Sequence, residues 1–318
     1  MSDPPTLDDC RAAARTIAGD VHRTPVFSSR SIGARVGREV WLKAELFQRT
    51  GSFKLRGALN RVAAMDAAER AAGVVTASAG NHAQAVALAC AQASIDAVVF
   101  MPSGASEAKV AATRAYGASV DLDSSDGAET LARMEAFAHS SGRVVLHPFD
   151  DPRVIAGQGT VGLELCEQVP EPGCVLVPAS GGGLVAGVAI AVKALAPSCR
   201  VVAVQPAVSA TLPPTRGATV ARGATIADAL TAPAIGRLPA RVCEALVDEV
   251  VHVGEDEIAD AVRFLYGRAK LACEPGAAVG VAALLAGAVG ELGDGPIVAV
   301  VSGGNIAPRL AASILAAG

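Results

Sequence analysis

Aromatic side chains are scarce in this chain: one Trp, two Tyr and seven Phe make up 3% of its 318 residues. A core with so few rings must be built from Ala, Val and Leu, and hydrophobic residues are 51% of the total. That composition suits Val-rich parallel strands covered by Ala-rich helices. Cysteine occurs without order. Cys10, Cys90, Cys166, Cys174, Cys199, Cys243 and Cys273 are odd in number, scattered and never spaced C-x-x-C. This argues against a disulfide framework and a structural zinc site, and fits reduced thiols in a cytoplasmic protein. No Arg/Lys run forms a basic stripe, and the net charge is −4 with a pI of about 5.8, so nucleic acid is a poor partner. No apolar run reaches about 18 residues uninterrupted, so no membrane span is expected. The acidic start, Met1 to Cys10, lacks the apolar core of a signal peptide.

Lysine is also rare, with five against 22 arginines. One of the five, Lys54, stands in Thr50-Gly-Ser-Phe-Lys-Leu-Arg-Gly-Ala-Leu-Asn60, behind a Gly-Ser turn and an aromatic ring. A lysine can lose its proton when desolvated and form a Schiff base, which arginine cannot do. By itself the residue is as well read as an exposed helix lysine. Three glycine-rich segments downstream change that balance.

A chain of 318 residues exceeds the size at which one core keeps growing, so two domains are expected. Short β-branched runs alternate with Ala-rich stretches. Strands are predicted at Glu39–Ala44, Val74–Ala77, Ala97–Met101, Ser119–Leu122, Val144–Leu146, Cys174–Pro178, Arg200–Gln205, Glu249–Val253 and Pro296–Ser302. Helices are predicted at Phe53–Met65, Asn81–Ala93, Glu107–Tyr116, Gly127–Ser140, Leu184–Leu195, Glu255–Ala272 and Gly276–Val289. This alternation predicts βαβ units and a parallel α/β sheet. The least regular part, Pro206–Arg241, holds five prolines and reads as a loop-rich excursion or a surface lid.

Cys174-Val-Leu-Val-Pro-Ala-Ser180-Gly181-Gly182-Gly183-Leu184 is a strand, a glycine turn and a helix start. Backbone N–H groups converge there beside a positive helix end, which makes an anion cradle best suited to a phosphate. The alternative is a tight turn without a ligand. Gly-Lys-Ser/Thr is missing, so this is not an ATPase loop. Thr76-Ala-Ser78-Ala79-Gly80-Asn81-His82 is a second strand-to-helix junction, with Ser78 as a cap and N–H groups placed for a carboxylate. His82 reads better as a structural histidine beneath the loop than as a catalyst. Val301-Ser302-Gly-Gly-Asn305 ends the last strand, where a serine hydroxyl can touch a ring nitrogen or a phosphate, or merely cap a turn. Gly157-Gln-Gly-Thr-Val-Gly162 matches G-x-G-x-x-G, but no strand precedes it. It reads as a glycine-permitted helix near a ligand, not a dinucleotide fingerprint.

In this order the motifs resemble fold-type II pyridoxal-phosphate enzymes, and within them the threonine/serine dehydratase and serine racemase group. The resemblance runs from His22-Arg-Thr-Pro25 through Ser-Phe-Lys-Leu-Arg-Gly, Ser-Ala-Gly-Asn-His, His147-Pro-Phe-Asp, Val154-Ile-Ala-Gly-Gln-Gly-Thr160 and the glycine loop to Glu274-Pro-Gly and Ser302-Gly-Gly-Asn. It implies a tryptophan synthase β-like fold in which residues 1–46 and 147–318 form a large cofactor domain. Residues 47–146 would form a small mobile domain. It implies Lys54 as the Schiff-base lysine, Phe53 against the cofactor and Asn81 on its phenolic oxygen. Ser180, Gly181, Gly182, Gly183 and Leu184 would hold its phosphate, with Ser302 at the pyridine nitrogen and Glu274 near the ring. Ser78, Ala79, Gly80, Asn81 and His82 would bind the substrate carboxylate.

The implied reaction is dehydration of L-threonine or L-serine to a 2-keto acid and ammonia. Other 3-hydroxy amino acids, such as 3-hydroxyaspartate or bulkier ones, stay open, as does a racemase. Ala79 stands where serine racemase has a proton-moving serine, which favours the dehydratase. Gln205 and Thr211 stand where the racemase-like members hold a metal through carboxylates, so no metal site is expected. Ala229 stands where the group commonly has glycine, next to the expected pocket. A homodimer is implied by resemblance alone. The chain stops at Gly318, just past the last motif, so no regulatory domain is expected. A nucleotide-dependent oxidoreductase and a non-catalytic ligand module are the competing classes; the first predicts NAD binding and an indifferent Lys54, and the second has no use for that lysine.

Overall fold

The computed structural model describes residues 3–216 and 223–317. The first half runs α1 (Leu7–Ile17), β1 (Val26–Ser28), α2 (Arg30–Val36), β2 (Val40–Ala44), α3 (Lys54–Ala63), α4 (Ala67–Ala72), β3 (Val74–Ala77), α5 (Asn81–Gln92), β4 (Ala97–Pro102), α6 (Glu107–Ala115), β5 (Ser119–Ser124), α7 (Gly127–Ser141) and β6 (Val144–Val145). The second half runs α8 (Pro152–Gln168), β7 (Cys174–Pro178), α9 (Gly183–Leu195), β8 (Arg200–Pro206), α10 (Arg237–Leu246), β9 (Glu249–Val253), α11 (Glu255–Phe264), α12 (Pro275–Leu285), β10 (Ile297–Val301) and α13 (Pro308–Ala316). A π-helical turn, Leu265–Ala269, extends α11.

Two sheets result. Six strands take the order β1-β2-β10-β7-β8-β9, and four take the order β5-β4-β3-β6. All pairings are parallel except the edge pair β1–β2. The strand interiors are buried apolar runs, as expected where helices cover both faces. Alternate residues sort cleanly. Leu42, Leu176, Val202, Ala299 and Val301 join one core with α11 and α12, whereas Val175, Val177, Val201, Val298 and Val300 join the other with α8 and α9. The four-stranded sheet is covered by α3 and α5 on one side and by α7 on the other. Each buried Val or Leu contributes about 1.5–3 kcal/mol, so these faces fix the sheet registers.

Helix starts follow local chemistry. Thr6 and Asp9 form a capping box on α1, and Asp151 caps α8 with Pro152 at its first position. Several surface elements escape the sequence patterns: α1, α2, α10, α13 and the edge strand β1. The predicted helix Phe53–Met65 ends earlier, and a capping box on Asp66 starts the separate α4. The predicted Glu255–Ala272 is shorter, since Lys270 adopts a left-handed backbone at the end of the π turn. Within Pro206–Arg241 the chain makes two short 3-10 turns and then enters α10, and residues 217–222 lie outside the described residues.

The Gly157–Gly162 segment is helical and packs tightly against its neighbouring helices. A Cβ on Gly157 would sit 2.6 Å from the Arg56 carbonyl oxygen, and one on Gly159 would sit 2.3 Å from Cys10 Sγ. Gly187 of α9 is equally tight, with Gly159 N 2.5 Å from its would-be Cβ. These glycines let α3, α8 and α9 touch backbone to backbone. The literal motif is a packing device that holds the Lys54 helix.

Candidate active site

Ligands of open parallel sheets bind beyond the C-terminal strand ends. Here the ends of β3, β7 and β10 open onto one cleft of about 620 Å³. The loops after these strands are the three glycine-rich segments. Phe53, Lys54, Ser78 through His82, Ser180 through Leu184, Glu274 and Ser302 all line this cleft. Residues up to 249 positions apart in the chain, Phe53 and Ser302, are joined directly, since Phe53 N donates to the Ser302 carbonyl at 3.1 Å.

Lys54 opens α3 at the cleft wall and is half-buried. Its Nζ donates to the Pro148 carbonyl at 2.9 Å and lies 5.2 Å from the Phe53 ring centre. Burial lowers its pKa to about 8, against the opposing pull of the Glu274 charge. An amine in this state is available as a nucleophile and base near neutral pH. Glu274 precedes α12 and is itself buried, which pushes its carboxyl up to about 7 despite a hydrogen bond from Asn81 Nδ2 at 2.7 Å.

The glycine cradle is tighter than ligand access alone requires. A Cβ on Gly181 would lie 2.2 Å from the Phe149 ring, and Gly182 has φ +89 with Pro239 2.6 Å from its would-be Cβ. Gly183 starts α9, whose first N–H groups have no partners within the helix. Ser180 is fixed through both its groups. Its Oγ accepts from Ala232 N at 3.0 Å, and its carbonyl accepts from Thr211 Oγ1 at 2.6 Å.

At the second junction α5 begins at Asn81, with Gly80 at the N-cap position. Ser78 is not the cap. Its Oγ accepts from Gly80 N at 3.2 Å and closes the loop one step earlier. The Ser78 N–H is taken by the Phe100 carbonyl at 3.0 Å. His82 Nε2 donates to the Leu146 carbonyl at 3.0 Å, and burial drives its pKa down to about 3. That bond seats the buried ring against the chain at Leu146.

Gln205 and Thr211 form a neutral pair. Gln205 Nε2 donates to Thr211 Oγ1 at 2.8 Å, and its Oε1 accepts from Leu212 N at 3.0 Å. Ala229 lines the cleft with Asp228 and Leu230, and its Cβ would touch one added to Gly276 at 3.5 Å. Sequence reasoning missed Lys109 and Asp228, whose side chains meet at 2.6 Å across the cleft mouth, and gave no role to Phe149 in the wall. The scarcity of lysine was the one signal that could have flagged Lys109.

The residues present fit a pyridine cofactor bearing a phosphate and an aldehyde: an available amine, an anion cradle, a neutral hydroxyl and an amide donor share one cleft. Comparison with known proteins agrees. The family model described as pyridoxal-phosphate dependent enzyme matches residues 17–303. The L-threonine ammonia-lyase of Thermotoga maritima is 43% identical over 305 residues, 95% of this chain and 76% of that protein. The catabolic L-threonine dehydratase TdcB of Escherichia coli is 40% identical over 308 residues, 95% of this chain and 94% of that protein. The solved structure of maize serine racemase superposes with a TM-score of 0.91 at 38% identity, covering 98% of this chain and 97% of that one. With its fold, its cleft and these likenesses, the chain belongs to the family of pyridoxal-phosphate dependent enzymes.

Proposed function

We propose that this enzyme dehydrates a 3-hydroxy amino acid, L-threonine or L-serine, to a 2-keto acid and ammonia. The observation that carries this reading is a lysine with a lowered pKa that lines the same cleft as the Ser78–His82 loop, where Ala79 stands at the position of the proton-moving serine of serine racemase. The threonine-named relatives at 40% and 43% identity support it.

The cofactor, when bound, supplies an electron-withdrawing ring conjugated to the substrate Cα. Lys54 would hold it, with Phe53 against its ring. The Ser180–Leu184 cradle would bind its phosphate, and Asn81 would donate to its phenolic oxygen. Ser302 would leave its ring nitrogen unprotonated, since a hydroxyl gives up no proton there. The loop from Ser78 to His82 would bind the substrate carboxylate through its N–H groups. Freed by the substrate amine, Lys54 would take the α-proton, and the β-hydroxyl would leave as water. Hydrolysis of the resulting enamine returns that water and releases ammonia. Residues 47–146 would act as a smaller domain that closes over the substrate, with the Lys109–Asp228 ion pair spanning the mouth. The free and mostly buried thiols agree with a cytoplasmic setting, and a homodimer is proposed by likeness to the group.

Racemisation is the second reading, favoured by the likeness to maize serine racemase. It needs an acid or base on the face opposite Lys54, and the Ala79 methyl has no proton to move. Keto-acid release and D-amino acid formation from L-threonine and L-serine, measured on the same sample, separate the two. Keto acid in large excess is expected, and Ala79→Ser should raise the D-product share. A D-product that outpaces keto acid in the unaltered enzyme would replace the proposal.

The lowered pKa of Lys54 has a sign that can be checked. Only the neutral amine can take up the cofactor, and its fraction rises with pH. Capture of pyridoxal phosphate by the apoprotein should therefore accelerate about tenfold per pH unit below a midpoint of about 8 and level off above it. Stopped-flow absorbance measures this, and a pH-independent rate would contradict the assignment.

A further inference from the structure

We propose that Asn305 is a positioning residue that sets the direction of the Asn81 amide. The reading rests on Asn81 as a cofactor contact. Asn305 closes the Ser302-Gly-Gly-Asn segment. Its Nδ2 donates to the Thr50 carbonyl at 2.8 Å and to Asn81 Oδ1 at 2.8 Å. A carbonyl only accepts, so Thr50 fixes which end of the Asn305 amide faces the pair. Both N–H bonds of Asn305 are then used, and Asn81 must turn its oxygen toward Asn305. The Asn81 Nδ2 is left facing Glu274 Oε1 at 2.7 Å and the cleft.

The relay starts in the Lys54 loop itself. Gly304 N donates to the Gly51 carbonyl at 2.9 Å, and Ser52 pairs with Gly303 as an antiparallel bridge. Gly51 has φ +74, and a Cβ there would lie 2.5 Å from Asn305 Oδ1. The Asn305 amide is thus clamped by backbone on one side and by Asn81 on the other. Thr50, Asn81 and Glu274 are buried, so a reversed amide would leave a desolvated polar group facing another of like kind. In this arrangement Asn305 holds Asn81 as a donor toward the cofactor oxygen, and the strand end bearing Ser302 orients the α5 start.

The test is a double-mutant cycle on pyridoxal phosphate affinity, read by visible absorbance on the full chain. Asn305→Asp keeps the shape but turns both donors into acceptors, so Asn81 must flip. It should weaken cofactor binding by about ten- to a hundredfold and shift the visible band. In an Asn81→Ala background the same change should cost less than about twofold, because the residue it acts through is gone. Asn305→Ser, which removes the amide without adding charge, should show the same dependence on background. Equal losses in both backgrounds would mean a merely structural role, and no loss in either would remove the role; both overturn the inference. If Asn81→Ala alone leaves affinity intact, the Asn81 contact falls and takes the relay with it, whereas a loss there without one at Asn305 sinks the relay alone.

Discussion

Lys54→Ala is expected to abolish the visible absorption of the cofactor-loaded protein and to cut keto-acid release by about a thousandfold or more. The size follows from two duties on one atom. In the proposed mechanism the Nζ would both anchor the cofactor and serve as the base at the substrate Cα, so no second group would inherit either task. The fold should survive, because the change removes a desolvated amine whose main fixed partner is a single carbonyl, that of Pro148. Absorbance after incubation with pyridoxal phosphate, with keto-acid assay on the same preparation, decides it. Retained turnover in this variant would remove Lys54 from the mechanism and return the nucleotide-binding reading to contention.

The second large effect lies two residues further on. Arg56 is fully buried. It donates to both oxygens of Glu45 at 2.8 Å and to Glu164 at 2.7 and 3.0 Å. Lys43, also fully buried, donates to Glu164 at 2.6 Å and to the Thr24 carbonyl at 2.8 Å. Two cations and two anions thus balance at the joint between α3, β2 and α8. Against the opposing effect of burial, Glu45 and Glu164 raise the pKa of Arg56, and the Arg56 guanidinium holds Glu45 below the usual carboxylate range. Removing one partner strands a buried charge, which costs about 3–5 kcal/mol. Arg56→Met should therefore lower the apparent melting temperature by about 5–15 °C, measured calorimetrically. It should also loosen cofactor binding, since Lys54 rides on the same turn. Adding Glu164→Gln restores charge balance and should recover part of the loss. A double variant as unstable as the sum of its singles would show that charge balance is not what holds the joint.

The strand-glycine-helix junctions were legible because each signal is local. A Val-rich run, a glycine turn and an Ala-rich helix lie within about fifteen residues, and the ends of such strands gather at one edge of a parallel sheet. The resemblance carried by these motifs in order then placed Lys54, the 180–184 cradle and Ser302 in one cleft. The surface helices α1, α2, α10 and α13 gave weaker patterns, because only one stripe of each is apolar. The edge strand β1 is three residues long and pairs antiparallel, so neither its length nor its neighbours mark it. What stayed hidden is tertiary. Arg56 and Glu164 are 108 positions apart, and Asn81 and Asn305 are 224 apart. Nothing in either segment names its partner. Gly157–Gly162 was the opposite case, a literal motif whose spacing serves three close-packed helices. The Ser78 cap failed for a small reason: the hydroxyl bonds Gly80 N, and the helix starts beyond it.

In the proposed mechanism the cofactor sits on one particular lysine of this cleft, Lys54. The chain has only five lysines, Lys43, Lys54, Lys109, Lys193 and Lys270, so the claim can be read by mass. The cofactor-loaded enzyme would be reduced with borohydride, digested and mapped by mass spectrometry. The cofactor's mass is expected on the peptide containing Lys54 and on no other. The label on a different lysine, or no label on a protein that still releases keto acid, would contradict it.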